Sequence, residues 1–161
     1  MIRQPYFQLV SYKRWADRGL CDVVTRNLDR LTDKDAQTVR RILDHFHVVD
    51  RIFQHHLQGL PHTFQGARSE VIPDLQALAR GVREVDDWYA SYVDSLAESD
   101  FEQSVDFAFT NGTPASMRRG EIILHVCLHA TYHRGNAGVV LQQSGITPND
   151  DRVTDFLEAV T

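Results

Sequence analysis

Between residues 33 and 58 the chain repeats an apolar side chain every three or four positions: Val39, Ile42, Phe46, Val49, Phe53 and Leu57. That period lines one side of an α-helix and fits no face of a strand. Three more stretches carry it. The first spans 4–29, with Leu9, Ala16, Leu20, Val23 and Leu28; another spans 73–96, with Leu75, Leu78, Val82, Val85, Tyr89, Val93 and Leu96. The last spans 117–144, with Ile122, Val126, Ala130, Ala137 and Val140. Helices with one apolar side must cover that side, and four of them in 161 residues can do so only against one another. The expected fold is therefore all-α, a four-helix bundle in one domain over 1–161.

The punctuation agrees. Thr32 suits the N-cap of the second helix, with Asp33 and Asp35 in its first turn, and Gly59-Leu60-Pro61 ends it. Residues 59–70 form the main loop, and Pro73 suits the first turn of the third helix. From Ser104 to Phe109 the apolar period drops to two, and Asn111-Gly112 follows, so a small β-hairpin over 103–116 is expected before the fourth helix. Ser116 is the expected cap of that helix, Gly145 its end, and a short last helix over 153–160 completes the chain.

Composition excludes several classes. Apolar residues at 42% and charged residues at 24% are a globular balance, not a disordered one. A net charge of -5 supplies no electrostatic excess for a polyanion, so no nucleic-acid partner is expected. No run approaches 18 consecutive apolar residues and no secretory h-region opens the sequence, so no membrane partner and a cytoplasmic location are expected. Cys21 and Cys127 are far apart and read as small buried residues.

Eight histidines are the unusual feature. At roughly 100° per residue, His129 and His133 lie within roughly 50° of the centre of the fourth helix's apolar stripe. Four residues apart, they project one above the other, as in a helical metal clamp. No Glu follows the first of them, which excludes the H-E-x-x-H metalloprotease pattern. On the second helix His45 and His56 both flank the stripe, as His125 does on the fourth, and either can face the pair. His47 falls on the face of Arg40, Asp44, Arg51 and Gln54, and His55 is nearly opposite the stripe, so both are expected to face solvent. A buried imidazole without a partner costs about 1–3 kcal/mol, and one divalent ion satisfies three at once. Three neutral imidazoles leave a coordination position open, which is the pattern of a catalytic ion. A dinuclear carboxylate bundle needs Glu-x-x-His on two helices, and the chain has none.

Three segments resemble the DinB family, also called DinB/YfiT-like metal-dependent enzymes. Tyr12-Lys13-Arg14-Trp15-Ala16-Asp17 is similar to its Y-N-x-W-A-N stretch. The run from Ile42 to Phe53 resembles I-L-x-H-x-x-x-x-D-R-x-W, and the run from His129 to Asn136 resembles H-x-x-x-H-R-G-Q. The chain departs from the pattern at Phe53, at Asn136 and at Leu128, where Asn is usual. The resemblance implies a four-helix bundle holding one divalent metal ion, nickel or zinc, on His45, His129 and His133. It implies a homodimer, and an enzyme that transfers a low-molecular-weight thiol to a small-molecule electrophile. Arg134, beside the last ligand, is a candidate contact for an anionic group of the substrate, with a surface salt bridge as the alternative reading. Hydrolysis by metal-bound water and a non-catalytic metal-binding bundle are the alternative readings of the same residues.

Overall fold

The computed structural model describes residues 3–161. Four long helices form the bundle: α1 (Arg3–Arg26), α2 (Asp33–Gln58), α3 (Leu75–Ser95) and α4 (Arg119–Gln143). A hairpin of β1 (Ser104–Ala108) and β2 (Pro114–Arg118) precedes α4, and the short α5 (Val153–Ala159) ends the chain. Single turns of 3-10 helix, Leu28–Arg30 and Glu98–Glu102, follow α1 and α3. Both α1 and α2 pack between α3 and α4, so α1 lies diagonally across the bundle from α2. Among the described residues no helix is long and apolar enough to cross a membrane.

Local chemistry explains most boundaries. The Thr32 hydroxyl accepts from the Asp35 amide at 3.1 Å and starts α2, which Gly59 closes in the left-handed region at φ 66°. The start of α3 moves from Pro73 to Leu75 because the Asp74 carboxylate accepts from the Ala77 amide at 2.8 Å and is the cap. α1 ends at Arg26, earlier than its apolar spacing suggests, and Leu28 lies exposed in the following turn.

The hairpin is longer than its turn signal implies. Strand pairing runs from Ser104 opposite Arg118 to Ala108 opposite Pro114. Asn111 and Gly112 lie inside a wider loop, which Phe109 and Thr113 close with an amide-to-carbonyl bond of 2.9 Å. Ser116 is paired with Asp106 in β2 and so does not cap α4. The helix begins three residues later, where the Arg118 amide donates to the Glu121 carboxylate at 2.8 Å. Val105, Phe107, Ala115 and Met117 point inward from the two strands, and the hairpin covers one end of the α2–α4 seam.

The core is two apolar clusters with a charged layer between them. One gathers Leu20, Val39, Leu43, Phe46, Leu78, Val82 and Leu141. The other gathers Val10, Phe53, Val85, Tyr89, Val93, Ile122 and Val126. Between them lies the Lys13 ammonium of α1, 1% exposed. It donates to Asp17 at 2.8 Å, to Asp50 of α2 at 2.7 Å and to Asp86 of α3 at 2.5 Å. Arg134 of α4 closes the layer on Asp17 at 2.7 Å and extends it to Asp151. All four helices thus meet on one set of charges. Burial would lower the Lys13 pKa, but its three carboxylates hold it well above the usual lysine range. Burial would raise Asp17, and Lys13 and Arg134 hold it below the ordinary value. Asp50 is pushed up to about 6 by burial, and Asp86 is also raised; each keeps one buried oxygen without a hydrogen bond.

Removing the cation leaves carboxylates stranded, which costs about 3–5 kcal/mol when one partner of a buried ion pair is lost. Lys13→Met is expected to lower the unfolding free energy in urea by that amount. A loss below about 1 kcal/mol, the range of an exposed pair, would show that the charged layer is not a fixed part of the fold.

Candidate metal centre

His45 stands in the middle of α2, and His129 and His133 one turn apart on α4. The α2–α4 contact brings the three rings together. Their centroids are separated by 4.9 Å (His45–His129), 4.4 Å (His45–His133) and 4.5 Å (His129–His133). One ring nitrogen from each lies within 4.8 Å of the others, and all three residues are half-buried. The Nε2 atoms of His45 and His129 are 3.2 Å apart. Two nitrogens at about 2.0–2.1 Å from one ion, at a near-tetrahedral angle, are separated by about 3.2–3.4 Å. The set fits a divalent metal ion.

The surroundings orient the rings for that task. Nδ1 of His45 lies 2.8 Å from the Ala67 carbonyl. A carbonyl only accepts, so Nδ1 carries the proton and the Nε2 lone pair faces the other two rings. Burial depresses the pKa of His129 to about 3, with His133 and His45 adding to the shift. Burial, His45 and Arg68 lower that of His133. Both rings therefore keep neutral nitrogens, the form that binds a metal ion. Nδ1 of His129 is buried without a partner.

The loop that supplies the Ala67 carbonyl is latched to α2 from the residue next to the ligand. The Asp44 carboxylate, fully buried, accepts from the Ser69 amide at 2.9 Å and its hydroxyl at 2.5 Å. Arg40 donates to the Ile72 and Pro73 carbonyls at 3.0 Å and 2.8 Å. The face of α2 that carries Arg40 and Asp44 is thus covered, and the expectation of solvent there is corrected. His47 on the same face wedges against α3. A Cβ at Gly81 would come within 2.7 Å of its ring, and burial depresses its pKa to about 4. His55 is also only half exposed: its Nδ1 meets the Arg51 carbonyl at 2.7 Å, under the ring of His62. The Asp44 latch and the Ala67 carbonyl escape the sequence reading. A backbone carbonyl has no residue signature, although a carboxylate beside His45 was in plain view.

Of the other histidines, His56 stacks on Phe107 at 4.5 Å, and His125 lies 5.6 Å from His129. Neither joins the cluster; both line an apolar groove of about 340 Å³ with Phe53, Phe109 and Met117, which His45 and His129 close at one end. On the other side of His45 a polar cleft of about 320 Å³ opens between Arg41, Arg68, His133 and Asn136. Arg134 enters neither. Its guanidinium is 2% exposed and shared among Asp17, Asp151, Thr131 and Tyr12, so the candidate substrate contact is a structural ion pair instead. Cys21 and Cys127 are buried free thiols, each pushed up to about 12 by burial. A second set of candidate ligands, Asp17, Asp50 and Asp86, surrounds the Lys13 ammonium, which already serves as its cation.

Replacing one of three ligands should abolish stable retention of the ion. Elemental analysis is expected to find close to one divalent ion per chain in the native protein and under a tenth of that in His133→Ala; equal content in both would remove the assignment.

The architecture and the ligand geometry can be set beside known proteins. The DinB family model matches residues 1–160. Among solved structures, a DinB-like protein from Bacillus cereus ATCC 10987 shares the fold with a TM-score of 0.65 at 22% sequence identity, covering 93% of this chain and 99% of that one. No curated protein matches. With a family pattern that runs through all four helices, the hairpin and the final helix, the chain belongs to the DinB family.

Proposed function

We propose that the protein is a metal-dependent transferase that conjugates a small-molecule thiol to an electrophile, using one nickel or zinc ion held by His45, His129 and His133. The observation that carries this reading is the convergence of three imidazoles on a half-buried point between two clefts. His45, His129 and His133 would hold the ion, which would supply acidification of a substrate thiol. The remaining work falls to the chain. The Ala67 carbonyl fixes the tautomer of His45, and Phe53, Phe109 and Met117 keep water from one side of the reacting sulfur. The sulfur then bonds to the electrophilic carbon, the leaving group departs with its electron pair, and the thiol proton passes to solvent.

Two further observations favour transfer of an external thiol. Both cysteines are too buried and too weakly acidic to be nucleophiles, so the sulfur must arrive with a substrate. No Asp or Glu lines either cleft among the described residues, which leaves hydrolysis without a carboxylate base. Two unpaired thiols also suit the reducing cytoplasm.

The zinc- or nickel-loaded protein is expected to accelerate conjugation of 2-mercaptoethanol to monobromobimane, and His133→Ala to lose at least 100-fold of that rate. Full metal occupancy without turnover of any thiol would favour a non-catalytic bundle, and turnover of an ester by the same protein without a thiol would favour the hydrolase.

We propose as well that the working form is a homodimer built on α4. Leu124, Leu128, Tyr132 and Val139 stand exposed along the outer side of this helix, with Leu128 and Tyr132 each one position before a ligand. Such a row of apolar side chains along one exposed helix side is suited to a copy of itself. Sedimentation is expected to show a dimer that Leu128→Asp converts to monomer; a native monomer at tens of micromolar would remove this assignment.

A further inference from the structure

The two clefts that meet at His45 differ in chemistry, and the difference bears on which substrate goes where. The groove toward the hairpin is walled by Val49, Ile52, Phe53, Phe109 and Met117, with no formally charged side chain among its lining residues. The cleft on the opposite side is lined by Thr38, Arg41, Arg68 and Asn136, with the rings of His45 and His133 as its inner wall. Any molecule seated there lies against two of the three candidate ligands.

The two arginines come from different elements. Arg41 is one turn before His45 on α2; Arg68 follows Ala67 in the loop that Asp44 and Arg40 hold against the same helix. Arg18, Arg118, Arg134 and Arg152 are matched by carboxylates, with Asp87, Glu102 and Glu121, Asp17 and Asp151, and Asp155 as their partners; Arg41 and Arg68 differ from the other unpaired arginines in sharing one cleft with candidate metal ligands. Neither Arg41 nor Arg68 has an ion pair or side-chain hydrogen bond among the described residues, and no carboxylate lines their cleft. Two arginines lining one cleft, with no carboxylate among its walls, give it a positive character that favours an anion. Arg134, the cation nearest the ligands in sequence, is consumed by Asp17 and Asp151 and leaves this role open.

We infer that the Arg41–Arg68 cleft is an anion subsite, which takes the carboxylate of a small anionic thiol while its sulfur lies at the histidine cluster, and that the apolar groove takes an uncharged electrophile. This rests on the transferase reading for the sulfur, and on the cleft alone for the anion. The two substrates approach from opposite sides of His45. The thiolate sulfur forms the new bond to carbon, the electrophile's leaving group takes the electron pair, and the carboxylate stays unchanged on the arginines.

Calorimetry on the zinc-loaded protein, with three probes, separates the two layers. Mercaptosuccinate carries both sulfur and carboxylates, 2-mercaptoethanol the sulfur alone, and succinate the carboxylates alone. Charge-assisted bonds to a guanidinium pair should make mercaptosuccinate bind at least about tenfold tighter than 2-mercaptoethanol. In Arg41→Gln/Arg68→Gln that ratio is expected to collapse to about one, with zinc content unchanged. Arg41→Lys/Arg68→Lys should restore part of it, since the charge remains and only the fork geometry is lost. Succinate binding that disappears in the Gln double variant supports the subsite even if no thiol binds, in which case only the transferase reading fails. Equal affinity of the native protein for the two thiols, or dicarboxylate binding indifferent to both arginines, overturns the subsite while leaving the metal centre untouched.

Discussion

One ammonium group holds the middle of this molecule. Lys13 is 1% exposed and reaches carboxylates on α1, α2 and α3, while Arg134 brings α4 to the same layer. Apolar packing above and below is permissive, since a stripe of Val and Leu tolerates small slips between helices. A buried charge does not tolerate them, because a shifted partner leaves an unpaired ion in a medium of low dielectric. The layer therefore pins the relative heights of the four helices. With α4 pinned at Arg134, His133 and His129 are fixed in height, and with α2 pinned at Asp50, so is His45. The convergence of three rings from two helices follows from that register.

The immediate shell works on the same logic at shorter range. A metal-binding imidazole must present the right nitrogen, and at His45 the Ala67 carbonyl selects it. That carbonyl belongs to a loop, an element that would ordinarily move. Asp44 and Arg40 bind the loop's backbone from α2 itself, so the helix that carries the ligand also holds the group that orients it. Half-burial of the three rings then leaves one side of the cluster open to each cleft. A closed structural site would have used a fourth side chain at that place.

The asymmetry of the two clefts comes from the elements that build them. The hairpin closes the apolar groove through Phe109, Thr110 and Met117. The latched loop and the first half of α2 contribute Arg68 and Arg41 to the polar one. A centre reached from two chemically different sides suits a reaction between two different molecules, and the chain's own thiols lie too deep to take part.

Much of this was legible in the residues. The 3.6-residue period set the four helices, Thr32 and Gly59 marked the ends of α2, and the switch to a period of two announced the hairpin. The pair His129 and His133 declared itself by spacing alone. These are local facts, encoded within a turn or two of chain. The third ligand was not legible in that way, since His45 and His56 flank the same stripe; likeness to a family favoured His45, and the packing of α2 on α4 brings it to the pair. His47, Asp44 and Arg134 were misread for one common reason. A helical wheel shows which side of a helix is polar, but not whether a loop, a glycine gap such as Gly81 or a partner carboxylate from another helix covers it. Sequence by itself determined the helices and the residues able to bind a metal ion. Tertiary structure decided which of them meet, because burial and charge pairing depend on neighbours distant along the chain.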